Sequence, residues 1–326
     1  MKNFKPWKKY PLIADELAEV DALIQHTIQT PHQSLQTALL TMADNGGKYL
    51  RPSLLLLAAH VVGKVNQQTI NLASSIEILH MATLIHDDII DDSDLRRGNI
   101  SIQAEFGKDV AVYAGDLLFT NFFDLMLDTT AEHEYLVRNA QTMSHILNGE
   151  LGQMAERFNL EQTFTDYLND IKGKTAALFR LAAEEGAHFA GGNAEESEAL
   201  ANFGENLGIA FQIVDDLLDY TGSDKLNKPT LEDLATGVYS LPLLLALDQP
   251  ELRQKLLPIL NKKREMYVSD MQLIQEILVN SSVIEKSRKL AQDYAQKAVD
   301  CLAIFPNNSA TTLLKKMPQQ LLKRSF

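Results

Sequence analysis

His86-Asp-Asp-Ile-Ile-Asp-Asp-Ser-Asp-Leu-Arg-Arg-Gly98 is the stretch on which the reading of this chain turns. Asp87, Asp88 and Asp91 fall at i, i+1 and i+4, and on a helix i and i+4 share a face one turn apart. Carboxylates on adjacent turns repel one another, so the spacing calls for something positive between them. Arg96 and Arg97 can pair with the carboxylates or, together with a metal, help hold an anion.

The pattern returns later in the chain. Gln212-Ile-Val-Asp215-Asp216-Leu-Leu-Asp219 repeats the D-D-x-x-D spacing, again after an apolar, helix-like run. Two such clusters facing each other across a cavity make a hard-oxygen site. Magnesium suits it, because Mg²⁺ binds through one or two carboxylates and fills its shell with water and phosphate oxygens. An EF-hand is excluded, since neither cluster has the alternating Asx order ending in glycine.

Working outward, all ten prolines lie at or before Pro52 or at or after Pro229. About 175 residues between them carry no helix breaker, and they contain both clusters and little period-2 alternation, so long helices are expected. At 326 residues and 45% hydrophobic the chain can bury a substantial core. Its net charge of −13 argues against nucleic acid as a partner, and means that an anionic substrate must be held by local cations. Cys301 is the only cysteine, which fits a reducing compartment and a cytoplasmic location. The first residues lack a signal-like apolar stretch. The longest apolar run, Leu54–Ala59 with Val61 and Val62 after it, is far short of the ~18 residues needed to cross a bilayer, so no transmembrane segment is expected.

Further candidates are spread along the chain. Residues 1–45 read as amphipathic packing helix, with Leu17, Val20, Leu23 and Ile24 on one face. Gly46-Gly47-Lys48…Arg51-Pro52 is a turn placing two cations beside glycines that permit close backbone approach, with Pro52 suited to a first helical position. A helix is expected over 66–98, with His80 two turns before Asp87 on the same face. Asp116, Glu150 and Gln153 are polar residues in helical surroundings, readable as support for the site or as caps and solvated faces. Gly173-Lys174-Thr175 offers a cation and a hydroxyl, but no glycine stands five residues upstream and no strand precedes it, so it is not a P-loop. Residues 243–326 read as helices closing the bundle.

Taken together, Gly47-Lys48…Arg51-Pro52, His80, Asp87-Asp88…Asp91, Arg96-Arg97-Gly98, Lys174-Thr175 and Phe211-Gln212…Asp215-Asp216…Asp219 stand in the order of the trans-isoprenyl diphosphate synthase (polyprenyl synthetase) family, which this chain resembles from Gly46 to Pro242. The resemblance implies an all-α fold: one helical bundle, a single domain over 1–326, with the two aspartate helices around a deep central cavity. It also implies a dimer, of identical chains or with a second synthase subunit. It assigns Lys48, Arg51, His80 and Arg97 to isopentenyl diphosphate, and Arg96, Lys174, Thr175, Gln212 and Lys228 to an allylic diphosphate. Asp87, Asp91 and Asp215, supported by Asp88 and Asp219, would hold up to three magnesium ions. One position departs from the family: Val238 stands in Gly237-Val238-Tyr-Ser240-Leu-Pro242 where many members carry a lysine.

The implied reaction is head-to-tail condensation of isopentenyl diphosphate onto the allylic diphosphate, giving a prenyl chain that grows down the helix preceding Asp87. Ala82 and Thr83, five and four residues before Asp87, lie roughly 6–7.5 Å below the metal site at 1.5 Å per residue. Small side chains there leave the pocket open to a hexaprenyl or longer product, heptaprenyl for a quinone tail being one such length. Two rivals remain: a class I terpene cyclase, against which Lys48, Arg51 and His80 argue, and a non-catalytic regulatory subunit, which would be expected to lose aspartates or arginines that this chain keeps.

Overall fold

The structure is a computed structural model that describes residues 10–46, 49–96, 98–222 and 231–323. Among the described residues it is all-α apart from one two-stranded hairpin. In order the chain forms α1 (Ala14–Thr27), α2 (Gln33–Gly46), α3 (Leu50–Val62), α4 (Gln67–Ile90), β1 (Leu95–Arg96), β2 (Asn99–Ile100), α5 (Ile102–Phe106), α6 (Lys108–Thr129), α7 (His133–Ala155) and α8 (Phe164–Ile171). A π-helical turn, Lys172–Ala176, leads into α9 (Ala177–His188) and α10 (Ala194–Thr221). The chain ends in α11 (Glu232–Thr236), α12 (Leu241–Leu247), α13 (Pro250–Leu260), α14 (Val268–Val279), α15 (Val283–Cys301) and α16 (Ser309–Leu322).

These helices gather into two compact units. The first comprises 1–139, 181–201 and 304–314, the second 140–180, 202–303 and 315–326. In the first unit α3 and α4 are buried on nearly every side, from Pro52 to Ala59 and from Ile70 to Ala82 with few gaps. Helices apolar all round belong in a core, so the first aspartate cluster sits at the end of a rigid central rod. Asn66 and Thr69 start α4 with a reciprocal capping box. Tyr49, left-handed at φ 46°, turns the chain into α3 while its hydroxyl donates to buried Asp21 at 2.7 Å. Pro52 is the third residue of α3, still within the first turn, where its missing N–H costs nothing.

The long helix expected over 66–98 is shorter. It stops at Ile90, Asp91 caps it, and Asp92 adopts a left-handed φ of 53° that no helix continues through. The chain then folds into the hairpin, with Leu95 opposite Ile100 and Gly98 at φ 82° near its tip. The N-terminal helical stretch is likewise two helices, broken between Thr27 and Gln33 around Pro31.

One helix that counting uninterrupted apolar runs did not single out, α6, is by length and composition apolar enough to cross a bilayer. Its Ala111, Ala114, Leu118, Phe122 and Met126 form a buried stripe at helical spacing, and its main packing partner is α4. That is how a core helix of a water-surrounded unit also behaves.

Candidate active site

In the first unit the backbone N–H of Asp91 donates to Asp87 O at 2.9 Å, so the i, i+4 relation survives although Asp91 lies just past the helix. The three carboxylates then divide by burial. Asp91 is exposed and Asp87 half-buried, whereas Asp88 is only 2% exposed. Arg96 reaches back from β1 and grips Asp88 with two donors, Nε at 2.7 Å and an Nη. A buried carboxylate needs such a partner, so Asp88 holds the hairpin to the helix, while the charges of Asp87 and Asp91 also act on Arg96. A cavity of about 410 Å³ opens beside this ion pair, walled by Thr37, Thr41 and Met42 of α2 and by Asn99 and Ile102.

His80 and Arg51 are both half-buried. Lys48 and Arg97 lie outside the described residues, as does Lys228. Asp116 sits 3.4 Å from His86 Nε2, and Gly115 lies close enough that a Cβ there would strike the His86 ring. Asp116 and His86 thus tie α6 to α4 one residue before Asp87. The chain-length candidates separate: Ala82 is 0% exposed, packed into the core, while Thr83 keeps open surface and donates its hydroxyl to His80 O at 2.8 Å.

In the second unit the π-helical turn carries Lys174 and Thr175. Such turns widen the helix by one residue and recur at functional sites. Lys174 Nζ donates to Gln153 Oε1 at 2.8 Å and lies 3.4 Å from Glu150 Oε2, which settles the role of both α7 residues as its partners. Thr175 Oγ1 donates to Gln212 Oε1 at 2.7 Å, and Gln212 Nε2 donates to Asp216 Oδ1 at 2.9 Å. Asp216, 3% exposed, also accepts from Tyr167 Oη at 2.7 Å and Leu241 N at 3.3 Å. Burial pushes its carboxyl up against the pull of these donors. Asp216 is therefore an internal anchor, whereas Asp215, one position earlier, is half-buried.

Asp219 differs from both. Burial raises its pKa to about 6, although Glu232 N donates to Oδ1 at 3.3 Å, and Oδ2 is buried without a hydrogen-bond partner among the described residues. Nearby Asp233 is driven to about 8, first by burial and then by Asp219 and Asp216, with Lys174 pulling the other way. Val238 is buried where many members of the resembled family carry a lysine. Lys174 offsets only part of this crowding of carboxylates, and an orphaned Asp219 oxygen is what a divalent ion satisfies.

Among the described residues no three His, Cys, Asp or Glu side chains converge into a cage that holds an ion alone. Magnesium takes few protein carboxylates and completes its octahedron with water and phosphate oxygens. The residues present fit an ion that binds together with a diphosphate. Sequence reasoning did not find the π-helical turn or Tyr167 as an anchor; only the apolar spacing around Gly173 was available to it, and that spacing looks like ordinary helix.

Comparison with known proteins agrees with these features. Residues 32–278 match the family model described as polyprenyl synthetase. The chain is 33% identical to heptaprenyl diphosphate synthase component 2 of Geobacillus stearothermophilus over 97% of this chain and 98% of that one. Among solved structures it is similar to geranylgeranyl pyrophosphate synthase from Lactobacillus brevis, with a TM-score of 0.92, 37% identity, and coverage of 98% of this chain and 99% of that one. It is also similar to a polyprenyl synthase from Caulobacter crescentus complexed with calcium and isoprenyl diphosphate, with a TM-score of 0.91, 34% identity, and coverage of 100% of both chains. The chain belongs to the polyprenyl synthetase family.

Proposed function

We propose that this chain is a trans-polyprenyl diphosphate synthase that condenses isopentenyl diphosphate onto an allylic diphosphate and releases a hexaprenyl or longer product. The observation that carries this reading is the hydrogen-bonded line from Thr175 through Gln212 to Asp216. It couples the hydroxyl next to the Lys174 cation on the π-helical turn to the helix bearing Asp215 and Asp219.

Asp87, Asp91, Asp215 and Asp219 are the carboxylates that would hold magnesium, which when bound neutralises the charge of a departing diphosphate. Lys174 and Thr175 orient the allylic diphosphate, with Gln212 steadying the hydroxyl. Arg96 serves the same substrate, and Lys228 is assigned to it as well. Arg51 and His80, with Lys48 and Arg97, hold isopentenyl diphosphate so that its double bond meets the allylic carbon, and proximity supplies much of the rate. Carbon–carbon bond formation accompanies loss of diphosphate, and the proton lost from the condensed product passes to that diphosphate. Apolar walls keep water from the cationic carbon.

The enzyme works as a dimer in this reading. The exposed apolar side chains of α6, among them Val112, Tyr113 (75% exposed) and Leu127, support a partner there. The name component 2 borne by the Geobacillus relative favours a second, different subunit over an identical one.

The test is direct. Purified protein incubated with farnesyl and isopentenyl diphosphates and Mg²⁺ should release pyrophosphate and form a lipid with six or more isoprene units. A cyclised hydrocarbon would favour the terpene-cyclase alternative. Silence relieved by a partner subunit would establish an obligate heteromer.

A further inference from the structure

Lys174 and Thr175 lie on a turn whose backbone is pinched from two sides by glycine. On α7, a Cβ built at Gly149 would meet the backbone nitrogen of Lys174 at 2.4 Å and Asp170 O at 2.7 Å. On α10, a Cβ at Gly208 would meet the Cα of Ala176 at 2.6 Å and its Cβ at 3.0 Å. Gly173, inside the turn, answers Gly149: its own Cβ would meet His145 O at 2.5 Å and the Cα of Gly149 at 3.0 Å. These are contacts between main chains, with no flexible side chain able to swing aside, so any added methyl must move the turn itself.

The consequence falls on the side chains between the two contacts. A π-helical turn spends one extra residue per loop and persists only where packing holds it. With α7 this close, the Lys174 ammonium falls between Glu150 and Gln153, which follow Gly149 within one turn of the same helix. With α10 this close, Thr175 reaches Gln212, one turn beyond Gly208 on that helix. Each glycine thus sits about a turn from the residue that receives the side chain it helps to aim.

We propose that Gly149 and Gly208 are positioning residues for the allylic diphosphate: their bare backbones fix the π-helical turn, and through it the aim of Lys174 and Thr175. This rests on the function proposed above, in which that pair binds the allylic substrate. Because Val238 removes a cation from the same neighbourhood, the placement of Lys174 carries more of the binding here than in relatives that keep the lysine.

The experiment compares wild type, Gly149→Ala, Gly208→Ala, Lys174→Ala and the double variant Gly149→Ala/Lys174→Ala. Steady-state constants for farnesyl and isopentenyl diphosphates are measured, and pyrophosphate binding with Mg²⁺ is followed by calorimetry. Each glycine variant should raise KM for the allylic diphosphate at least tenfold, weaken pyrophosphate binding similarly, and change KM for isopentenyl diphosphate less than twofold. Adding Gly149→Ala to Lys174→Ala should cost less than the two single losses together, because one of the two side chains it aims is gone. Unchanged allylic KM, equal losses for both substrates, or full additivity in the double variant would overturn the proposal. So would loss of the folded state in both glycine variants by far-UV circular dichroism. Wild-type protein that neither turns over nor binds pyrophosphate would instead overturn the proposed function.

Discussion

The phenol of Tyr167 donates a 2.7 Å hydrogen bond to Asp216, and both groups are almost wholly buried. Two aspartates adjacent in sequence, Asp215 and Asp216, are thereby given different work, since only Asp216 is held by Tyr167, Gln212 and Leu241 N. Burial holds the Tyr167 hydroxyl far above its ordinary pKa, and the Asp216 charge adds to that, so it stays a donor throughout the working range of pH.

Tyr167→Phe tests the anchor. It deletes the donor and leaves a buried carboxylate short of a partner, a change that costs about 1–3 kcal/mol. Urea unfolding should show that loss of stability, with activity at saturating substrate reduced less than by Asp215→Ala. An unchanged midpoint would show that the bond contributes nothing.

Product length should answer to Thr83 and not to Ala82. Thr83 has open surface, so Thr83→Phe is expected to shorten the lipid product, read by reversed-phase chromatography, with the protein still folded. Ala82 is sealed in the core, and forcing a ring into a packed site typically costs about 1–3 kcal/mol or more. Ala82→Phe should therefore lower the melting temperature before it alters product length. Shortening by Ala82→Phe alone, at unchanged stability, would reverse the assignment.

Glu185, on α9, is completely buried, and that burial raises its carboxyl to about 8 against a slight pull from Asn139 Nδ2, which donates to it at 2.6 Å. Its other oxygen and the Asn139 side-chain carbonyl are both without hydrogen-bond partners among the described residues. The folded pKa lies above the ordinary 4.5, so the contribution to stability is complete below about 4.5 and is lost as pH rises through about 8. One proton gives a slope of up to about 1.4 kcal/mol per pH unit between those values. Glu185→Gln should flatten that part of the stability profile relative to wild type, as measured by denaturant unfolding from pH 5 to 9. Parallel profiles would mean that Glu185 is ionised in the folded protein.

The two D-D-x-x-D clusters were legible because a spacing of four survives translation into any helix. What followed the first was not: the helix ends at Ile90, before a left-handed Asp92 that no propensity demands, and the hairpin after it is too short to show alternation. The π-helical turn was hidden for a related reason, since one extra residue in a loop leaves the apolar spacing almost unchanged. Glu150 and Gln153 stood undecided between support and solvated face until Lys174 was found between them. Ala82 and Thr83 looked equivalent as small residues, and only burial separates them. Arg96 was legible as a cation near the aspartates, but its grip on Asp88 depends on the hairpin turning back.

The central claim is that both aspartate clusters serve one magnesium-dependent release of diphosphate. It is tested most directly by pyrophosphate release, with Mg²⁺ titrated, from wild type, Asp87→Ala and Asp215→Ala, each shown by circular dichroism to keep its helices. The account predicts that either substitution lowers turnover at least about 100-fold and shifts the Mg²⁺ requirement upward. Turnover and Mg²⁺ dependence near wild type in either variant would contradict it.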